Sequence, residues 1–490
     1  MEPLPAPGPT SVRITGDYYQ FLAVWEACVT LLRENAAHVP NPVLSVGVEY
    51  DGVGNVDDVV LLRGTPPSTY KQLKYTVDSS TPVNEKYLTE PSKKGGTSVL
   101  KKIALAWKKL TADGDSADLV LATNRAPDPS DELVTLRDAR TGLLMPKVAN
   151  GGTNSKPGRA RTRWAQAVGL TEAELGELLS TLRFDLAKDM VRFEETLGLL
   201  MAVTGLRHDQ RAVEAGANWV AKMVREGRRQ LTLDMVQAAV ADLDLMAGPA
   251  RAVLSVATLK PDPLAPNADH TLHWVERFDG DTDFDKRHPL APNTWLQLQA
   301  DIEAAPGRLP AGSTAISVTG SFRLAPAFLV GTTFRMVTGT DLAIVQGPQL
   351  WSTNAPYEDA LVPGFTEHQI DQGDELAVAI AITMDPTEDV LDYVHGQNLP
   401  VSKLLVYTPP SGKAKDTSIP DGSAATALAV GIRDHLRRQT RPVRRLHLFL
   451  ATPRGLALIL GHRWNRLCQT VVYEDIKVGT GYEPAFTVQA

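Results

Sequence analysis

The run Asp57-Asp58-Val59-Val60-Leu61-Leu62 and the triplet Gln72-Leu73-Lys74 flank the turn Gly64-Thr65-Pro66-Pro67, and they read as adjacent strands carrying polar groups at one end. Side chains alternate across a strand, so Gln72 and Lys74 share a face while Asp57 and Asp58 point to opposite faces. One aspartate joins the pair, and the spacing leaves open which. A carboxylate, an amide carbonyl and a lysine on neighbouring strands are what metal-assisted phosphodiester cleavage needs. The oxygens hold a hard cation such as Mg2+, and the ammonium orients water and offsets phosphate charge. A turn aspartate followed by a solvated strand lysine is the plainer reading of the same residues.

Outward from this stretch, Phe21, Val24, Trp25, Cys28 and Leu32 recur at helical spacing within Tyr18 to Leu32, behind a Gly16-Asp17 start that predicts a helix cap. Val43 to Val48, Val56 to Leu62 and Tyr70 to Tyr75 predict three strands of one sheet, Leu100 to Leu110 a helix and Ala117 to Thr123 a further strand. Residues 1–150 thus read as one α/β domain. Gly151 to Arg163 reads as a loop with a basic tip, and Thr171 with Glu174 as a capping box before Leu175, Leu178, Leu179 and Leu182. Helical patterns continue to about Met246, so residues 151–260 read as a helical extension, with Pro-rich Lys260 to Pro266 as a linker.

From 261 to 490, strand-like runs such as Ala315 to Val318, Leu342 to Val345, Glu375 to Thr383, Lys403 to Tyr407 and Leu446 to Leu450 alternate with helical stretches, which predicts an α/β domain with a largely parallel sheet. Small and polar residues collect just after these strands, at Thr319-Gly320-Ser321, Thr383, Thr408 and Thr452-Pro453. In such sheets ligands sit at the carboxyl ends of the strands.

The chain has 490 residues, 43% of them apolar, and a net charge of −7, which excludes a protein that coats nucleic acid along its whole surface. Positive charge is local: Lys93-Lys94 through Lys101-Lys102 to Lys108-Lys109, Lys156 to Arg163, and Arg433 to Arg445. The first two clusters could track phosphates, and solvated faces are the alternative. The two cysteines, Cys28 and Cys468, exclude a disulfide scaffold, an iron–sulfur cluster and structural zinc, and a reducing cytoplasm is the expected setting. Met1 to Pro9 lacks the features of a signal peptide and reads as a mobile leader, and no apolar run is long enough to span a bilayer. The ten histidines form no pair at metal spacing, and no phosphate-binding loop of the ATPase type occurs.

Gly16-Asp17-Tyr18-Tyr19-Gln20, then Val48-Glu49, Asp58-Val59-Val60 and Gln72-Leu73-Lys74, appear in an order that resembles the PD-(D/E)xK nuclease fold in its Mrr-like form, where glutamine replaces the last motif's glutamate. More closely, the chain resembles CBASS antiphage effectors, in which such an endonuclease domain precedes a SAVED domain. Ser317 to Leu324, Phe328 to Phe334 with Gly331, Leu342 to Gln346 and Trp351 are similar to the first SAVED stretch. Arg445 to Pro453, Leu456-Ala457, Gly461 and Val472-Tyr473-Glu474 are similar to the last. The resemblance implies a restriction-endonuclease-like amino-terminal domain and a SAVED domain of two fused CARF-like, Rossmann-like units. It implies metal binding by Asp58 and Gln72, a catalytic Lys74, support from Glu49 and Gln20, and Mg2+ as cofactor. Its partners would be a cyclic oligonucleotide, a trinucleotide by the same resemblance, a double-stranded DNA substrate and further copies of the chain assembled by ligand.

Gly320, Ser321, Arg323, Trp351, Thr383, Thr408, Thr452, Pro453 and Arg454 are the candidate ligand residues, since flat side chains stack on bases while Arg and backbone amides take phosphates. Trp351 as a core anchor and Arg323 as a solvated strand end are the alternatives. Trp25, Trp107 and Trp219 lie on helical stripes and read as core. A reading of a different class is a non-catalytic cyclic-nucleotide sensor whose front domain binds DNA or a partner protein.

Overall fold

The computed structural model describes residues 8–37, 39–91, 95–138, 141–145, 148, 152–282, 285–346, 349–439, 443–477 and 481–489. Most of the expected leader, as well as Lys93, Lys94 and Arg441, lies outside them. The chain divides into two compact units, Met1–Ala250 and Arg251–Ala490. The boundary thus precedes the segment expected to be a linker, and residues 151–250 belong to the first unit.

In the first unit the helices are α1 (Pro9–Ala36), α2 (Glu85–Thr89), α3 (Val99–Leu110), α4 (Lys156–Val168), α5 (Glu172–Thr181), α6 (Met190–Val203), α7 (Gln210–Arg225) and α8 (Leu233–Asp242). Its strands are β1 (Val43–Val48), β2 (Val59–Arg63), β3 (Ser68–Lys74), β4 (Ala117–Thr123), β5 (Leu182–Asp185) and β6 (Gln230–Thr232), in the order β5-β4-β3-β2-β1-β6. The β1, β2 and β3 strands form an antiparallel meander, and β3, β4 and β5 run parallel. Helix α1 starts at Pro9, which suits a first helical position because its missing N–H would have no partner there. Gly16 and Asp17 therefore lie inside the helix and do not cap it. The capping box of Thr171 and Glu174 forms as expected. Lys156 to Arg163, expected as a loop with a basic tip, instead opens α4. Arg161 there bonds Glu172 at 3.0 Å, and Arg163 reaches Glu85 at 2.7 Å and Glu132 at 3.1 Å.

Helix α1 covers the face of β3 that bears Lys71, and buried Glu26 of α1 bonds Lys71 at 3.0 Å and Lys188 at 2.8 Å. Burial alone would raise this carboxyl, but Lys188 and Lys71 hold it down at about 2. A carboxylate whose pKa is depressed by folding stabilises the native state above its unfolded value, near about 4.3 for Glu. That contribution is lost as pH falls from there toward about 2. Glu26→Gln is expected to lower stability by about 3 kcal/mol at neutral pH, because two lysines lose their partner, and to flatten the acid limb. Urea unfolding of both proteins from neutral to acid pH checks this, and an unchanged acid limb would count against the pairing.

The second unit holds two Rossmann-like sheets. The first comprises β7 (Ala252–Ala257), β8 (His270–His273), β9 (Ala315–Thr319), β10 (Asp341–Gln346) and β11 (Gln349–Ser352), in the order β11-β10-β9-β7-β8, parallel except for β11. The other comprises β12 (Gly364–Gln369), β13 (Glu375–Ala381), β14 (Val401–Thr408), β15 (Arg445–Ala451), β16 (Gln469–Lys477) and β17 (Gly481–Val488), in the order β12-β14-β13-β15-β16-β17. Its four central strands are parallel and both edge strands antiparallel. The helices are α9 (Trp295–Ala304), α10 (Leu324–Thr333), α11 (Thr387–Gly396), α12 (Gly422–Gln439) and α13 (Arg454–Arg463). One apolar core runs through both sheets and through α10, α12 and α13. Fully buried β13 reads as a continuous apolar run, as a covered parallel strand should. Among the described residues no helix is long and apolar enough to cross a membrane.

Candidate functional site

The first cluster lies at the ends of β2 and β3. Asp58 immediately precedes β2, and its Oδ2 accepts from the Gln72 side-chain amide and, at 2.7 Å, from the Leu73 backbone N–H. The side chain of Asp58 rather than Asp57 thus meets Gln72, while Asp57 uses its backbone carbonyl to accept from the Tyr50 N–H at 2.9 Å. Gln72 is buried, and Lys74 shares its strand face by the period of two. Burial pushes the Asp58 carboxyl up, opposed by the Leu73 amide and by Lys74. Burial also lowers the Lys74 ammonium, Asp58 opposes this, and Lys102 of α3 lowers it further.

Glu49 and Gln20 are placed differently. Glu49 follows β1 at φ +44°, and its backbone N–H donates to the Asp58 carbonyl at 3.4 Å while its carboxylate bonds Arg229 at 2.8 Å in a surface ion pair. Gln20 is half-buried on α1, the helix that covers the Lys71 face of β3, opposite Gln72 and Lys74. Neither side chain joins the hydrogen-bonded cluster. Of the basic residues nearby, Lys108 pairs with Glu174 at 2.9 Å, while Lys102 stands beside Lys74.

Among the described residues no group of three or more His, Cys, Asp or Glu side chains could hold a metal. Asp58 nonetheless offers a hard carboxylate there, and Gln72, which turns its amide N–H to Asp58, would add its carbonyl oxygen on rotating the amide. That set fits Mg2+, which keeps several waters and binds through one or two carboxylates with substrate phosphates.

The second cluster lies at the carboxyl ends of the strands of the second unit. Gly320 follows β9 at φ +97°, and a side chain there would strike the Val256 carbonyl, with a Cβ only 2.1 Å away. Next to it, the Ser321 carbonyl accepts from Thr258 and Leu259 at 2.9 and 3.0 Å. Arg454, which opens α13, lays its guanidinium over the Phe322 ring at 4.8 Å. Burial lowers the Arg454 pKa, and the nearby Asp262 opposes this. Asp262 accepts from Ser255 at 2.7 Å and Thr319 at 2.6 Å. Ser317 Oγ, Thr452 Oγ1 and Arg454 Nε are buried without a hydrogen-bond partner among the described residues. Unpaired buried polar atoms cost about 1–3 kcal/mol each, and Thr452 and Arg454 carry theirs just beyond the carboxyl end of β15, where sheets of this kind place ligands. Thr383 joins the same edge through its N–H, which donates to Ala451 at 3.0 Å, and Thr408 ends β14.

Residues 298–488 match the family model described as SAVED, the SMODS-associated and fused to various effectors sensor domain. The second unit carries a SAVED domain. No curated protein matches the chain. Among solved structures, the Acinetobacter baumannii Cap4 SAVED/CARF-domain containing receptor with the cyclic trinucleotide 2'3'3'-cAAA is 12% identical, at a TM-score of 0.42, over 100% of both chains. The same receptor with 3'3'3'-cAAA is 13% identical, at 0.43, over 99% of this chain and 100% of that one. The Moraxella osloensis Cap4 receptor is 15% identical, at 0.40, over 96% and 99%.

Two expected ligand residues of the SAVED domain, Trp351 and Arg323, make structural contacts. Trp351 is 4% exposed within the core, where it packs against Gly422 of α12 and Gly455 of α13, so its indole is not free to stack on a base. Trp351→Ala is expected to destabilise the domain by about 3–5 kcal/mol, read by urea unfolding, as for a large core truncation. Arg323 precedes α10 and pairs with buried Glu474 at 3.2 Å, while Glu474 also accepts from the Ala325 N–H at 2.8 Å. Asp262 and Phe322 were missed from sequence: Asp262 falls in the stretch that reads as a linker, and Phe322 reads as one more apolar residue of a strand end.

Proposed function

We propose that this protein is a cyclic-oligonucleotide-activated, metal-dependent double-stranded DNA endonuclease, an effector of a CBASS antiphage system. Its SAVED domain would sense the signal and its amino-terminal unit would cut. The observation that carries the nuclease half is the convergence of Gln72 and the Leu73 N–H on the Asp58 carboxylate, with Lys74 on the same strand face.

In this reading Asp58, joined by the Gln72 carbonyl once its amide turns from the hydrogen bond to Asp58, would hold a divalent cation, which would stabilise charge on the phosphate. The hydrogen bond from Leu73 fixes the carboxylate so that little reorganisation accompanies reaction. Lys74 is partly desolvated and lies beside Asp58, so its ammonium can orient the attacking water and neutralise a phosphate oxygen more strongly than in open solvent. The water oxygen bonds to phosphorus, the bond to the leaving sugar oxygen breaks, and the products are a phosphate monoester and a hydroxyl.

The sensing half is supported by the SAVED match and by the carboxyl-edge cluster. Arg454 and Phe322 offer a cation and a ring to phosphate and base, while Gly320, Ser321 and Thr452 bring backbone and hydroxyl groups to the same edge. Arg454→Ala is expected to weaken a cyclic trinucleotide by about 1–3 kcal/mol, roughly tenfold to a hundredfold by isothermal titration, with cutting restored at saturating ligand. Unchanged affinity would move the pocket elsewhere on that edge.

The deciding experiment is plasmid cleavage with Mg2+ and cyclic trinucleotides, each present or omitted, alongside light scattering. Cutting only when both are present, with a rise in mass on adding ligand, is the expected result. Ligand binding without cutting under any divalent cation would favour a non-catalytic sensor whose first unit binds DNA or a partner protein.

A further inference from the structure

The third basic cluster of the sequence forms a surface that neither proposed site uses. Arg433, Arg437 and Arg438 lie in the last two turns of α12, while Arg463 ends α13 and Arg466 follows it. Arg437 donates to the Asn465 carbonyl at 2.9 Å and to its side-chain oxygen at 2.6 Å, which joins the two helix ends. Four guanidinium groups, those of Arg433, Arg437, Arg463 and Arg466, thereby gather, with Asp434 the one carboxylate paired to any of them among the described residues, 2.8 Å from Arg433 and 3.4 Å from Arg437. Arg463 also donates to the Thr353 carbonyl at 2.6 Å, and Arg438 flanks the group on the same helix end, beside His435 and Tyr407. Arg438 and Arg466 are exposed and the Arg437 side chain is 28% exposed, whereas Arg433 stands behind at 11%.

Cations in the last turn of a helix interact favourably with its carbonyls, which accounts for each helix end alone. It does not account for bringing both ends together with so little acid between them, because like charges at close range are costly. Arg463 feels Arg433, and Arg437 feels both Arg433 and Arg466, each lowered by burial first and by these neighbours after it. The topology also separates this surface from the ligand edge. Helices α12 and α13 run back between parallel strands, β14 to β15 and β15 to β16, so their carboxyl ends lie at the amino edge of the sheet.

We propose that this arginine surface of the SAVED domain binds the phosphate backbone of duplex DNA, as a contact independent of both the cyclic oligonucleotide and the residues around Lys74. A repeating anion suits guanidinium groups spread over two helix ends better than a single carboxylate does, and planar guanidinium forks fit phosphate in pairs of hydrogen bonds. The background of −7 confines such binding to this patch and keeps it salt-sensitive.

The test uses the full chain without ligand, in EDTA, so that neither sensing nor cutting is read. Fluorescence anisotropy with a random duplex of roughly 24 base pairs is followed across salt concentration for the wild type, Arg438→Gln/Arg466→Gln, Arg438→Lys/Arg466→Lys and the single exposed change Arg438→Glu. Losing two phosphate contacts should reduce the slope of log affinity against log salt by about 2 and weaken binding roughly tenfold near 100 mM salt. The lysine pair should keep the slope, and Arg438→Glu should lower affinity with an unchanged melting temperature. Unaltered slope and affinity in the glutamine and glutamate variants would overturn the proposal. So would an unaltered affinity joined to a fall in sedimentation mass, which would assign the surface to a second copy of this chain.

Discussion

Lys74→Ala is expected to abolish DNA cleavage, by a factor of at least about a thousand, while folding and cyclic trinucleotide binding persist. The lysine stands beside Asp58, with Lys102 of α3 as a neighbouring cation. An ammonium that acts on the developing phosphate charge contributes little to the ground state and much to the transition state. Asp58→Ala should be equally inactive, because it removes the carboxylate that Gln72 and Leu73 orient. Asp57→Ala should retain most activity, since the Asp57 carboxylate acts on Asp58 and Lys74 as a lesser neighbouring charge, and its hydrogen bond to Tyr50 is made by a backbone carbonyl that the substitution leaves in place. The measurement is linearisation of plasmid by activated protein, with titration of ligand as the folding control. Full activity in Lys74→Ala would remove the nuclease assignment, whereas an inactive Asp57→Ala would exchange the roles of the two aspartates.

The second large effect concerns the crossing of α10 and α13. A Cβ on Gly331 would lie 2.1 Å from the Leu458 carbonyl, and one on Gly461 would lie 2.1 Å from the Phe328 carbonyl. Both obstacles are backbone, which cannot rotate away as a side chain can. Gly331→Ala and Gly461→Ala should therefore each destabilise the SAVED domain by about 1–3 kcal/mol or more, despite the helix propensity that alanine adds. The double variant should cost less than the two singles combined, since the first substitution already separates the helices. Chemical denaturation followed by fluorescence reads all three, and a stabilised single variant would show that the helices do not meet so closely.

These two regions also show how differently fold and site could be read from the chain. The strands Val43 to Val48 and Ala117 to Thr123 were expected with the bounds they have, because short β-branched runs between turn residues have few other uses. The parallel core strands of the second unit were legible for a related reason: strands buried on both faces are apolar along most of their length, and the buried exceptions here, Glu375 and His447, bond each other at 2.6 Å. Helix α1 was underestimated at its start, since Gly16 and Asp17 signal a cap locally but lie within a helix that begins at Pro9, with Thr10 to Ile14 exposed. Basic Lys156 to Arg163 resembled a loop because glycine and proline are common in it, yet its arginines meet Glu172, Glu85 and Glu132 from other elements. Trp351 could not be assigned by composition, because an indole serves equally as a stacking plate and as a core anchor, and burial decides.

By itself the sequence determined the succession of helices and strands in both halves, the alternation that puts Gln72 and Lys74 on one face, and the collection of small polar residues after the strands. Those follow from local periodicity and turn chemistry, which act within a few residues. Only the tertiary structure decided that Asp58 rather than Asp57 meets Gln72, that Glu49 turns to Arg229, and that Arg454 lies over Phe322 beside Asp262. It alone set Gly331 and Gly461 at a helix crossing. Each of these depends on which distant backbone comes near, a matter settled by the burial of the shared core and by the need to satisfy buried polar groups.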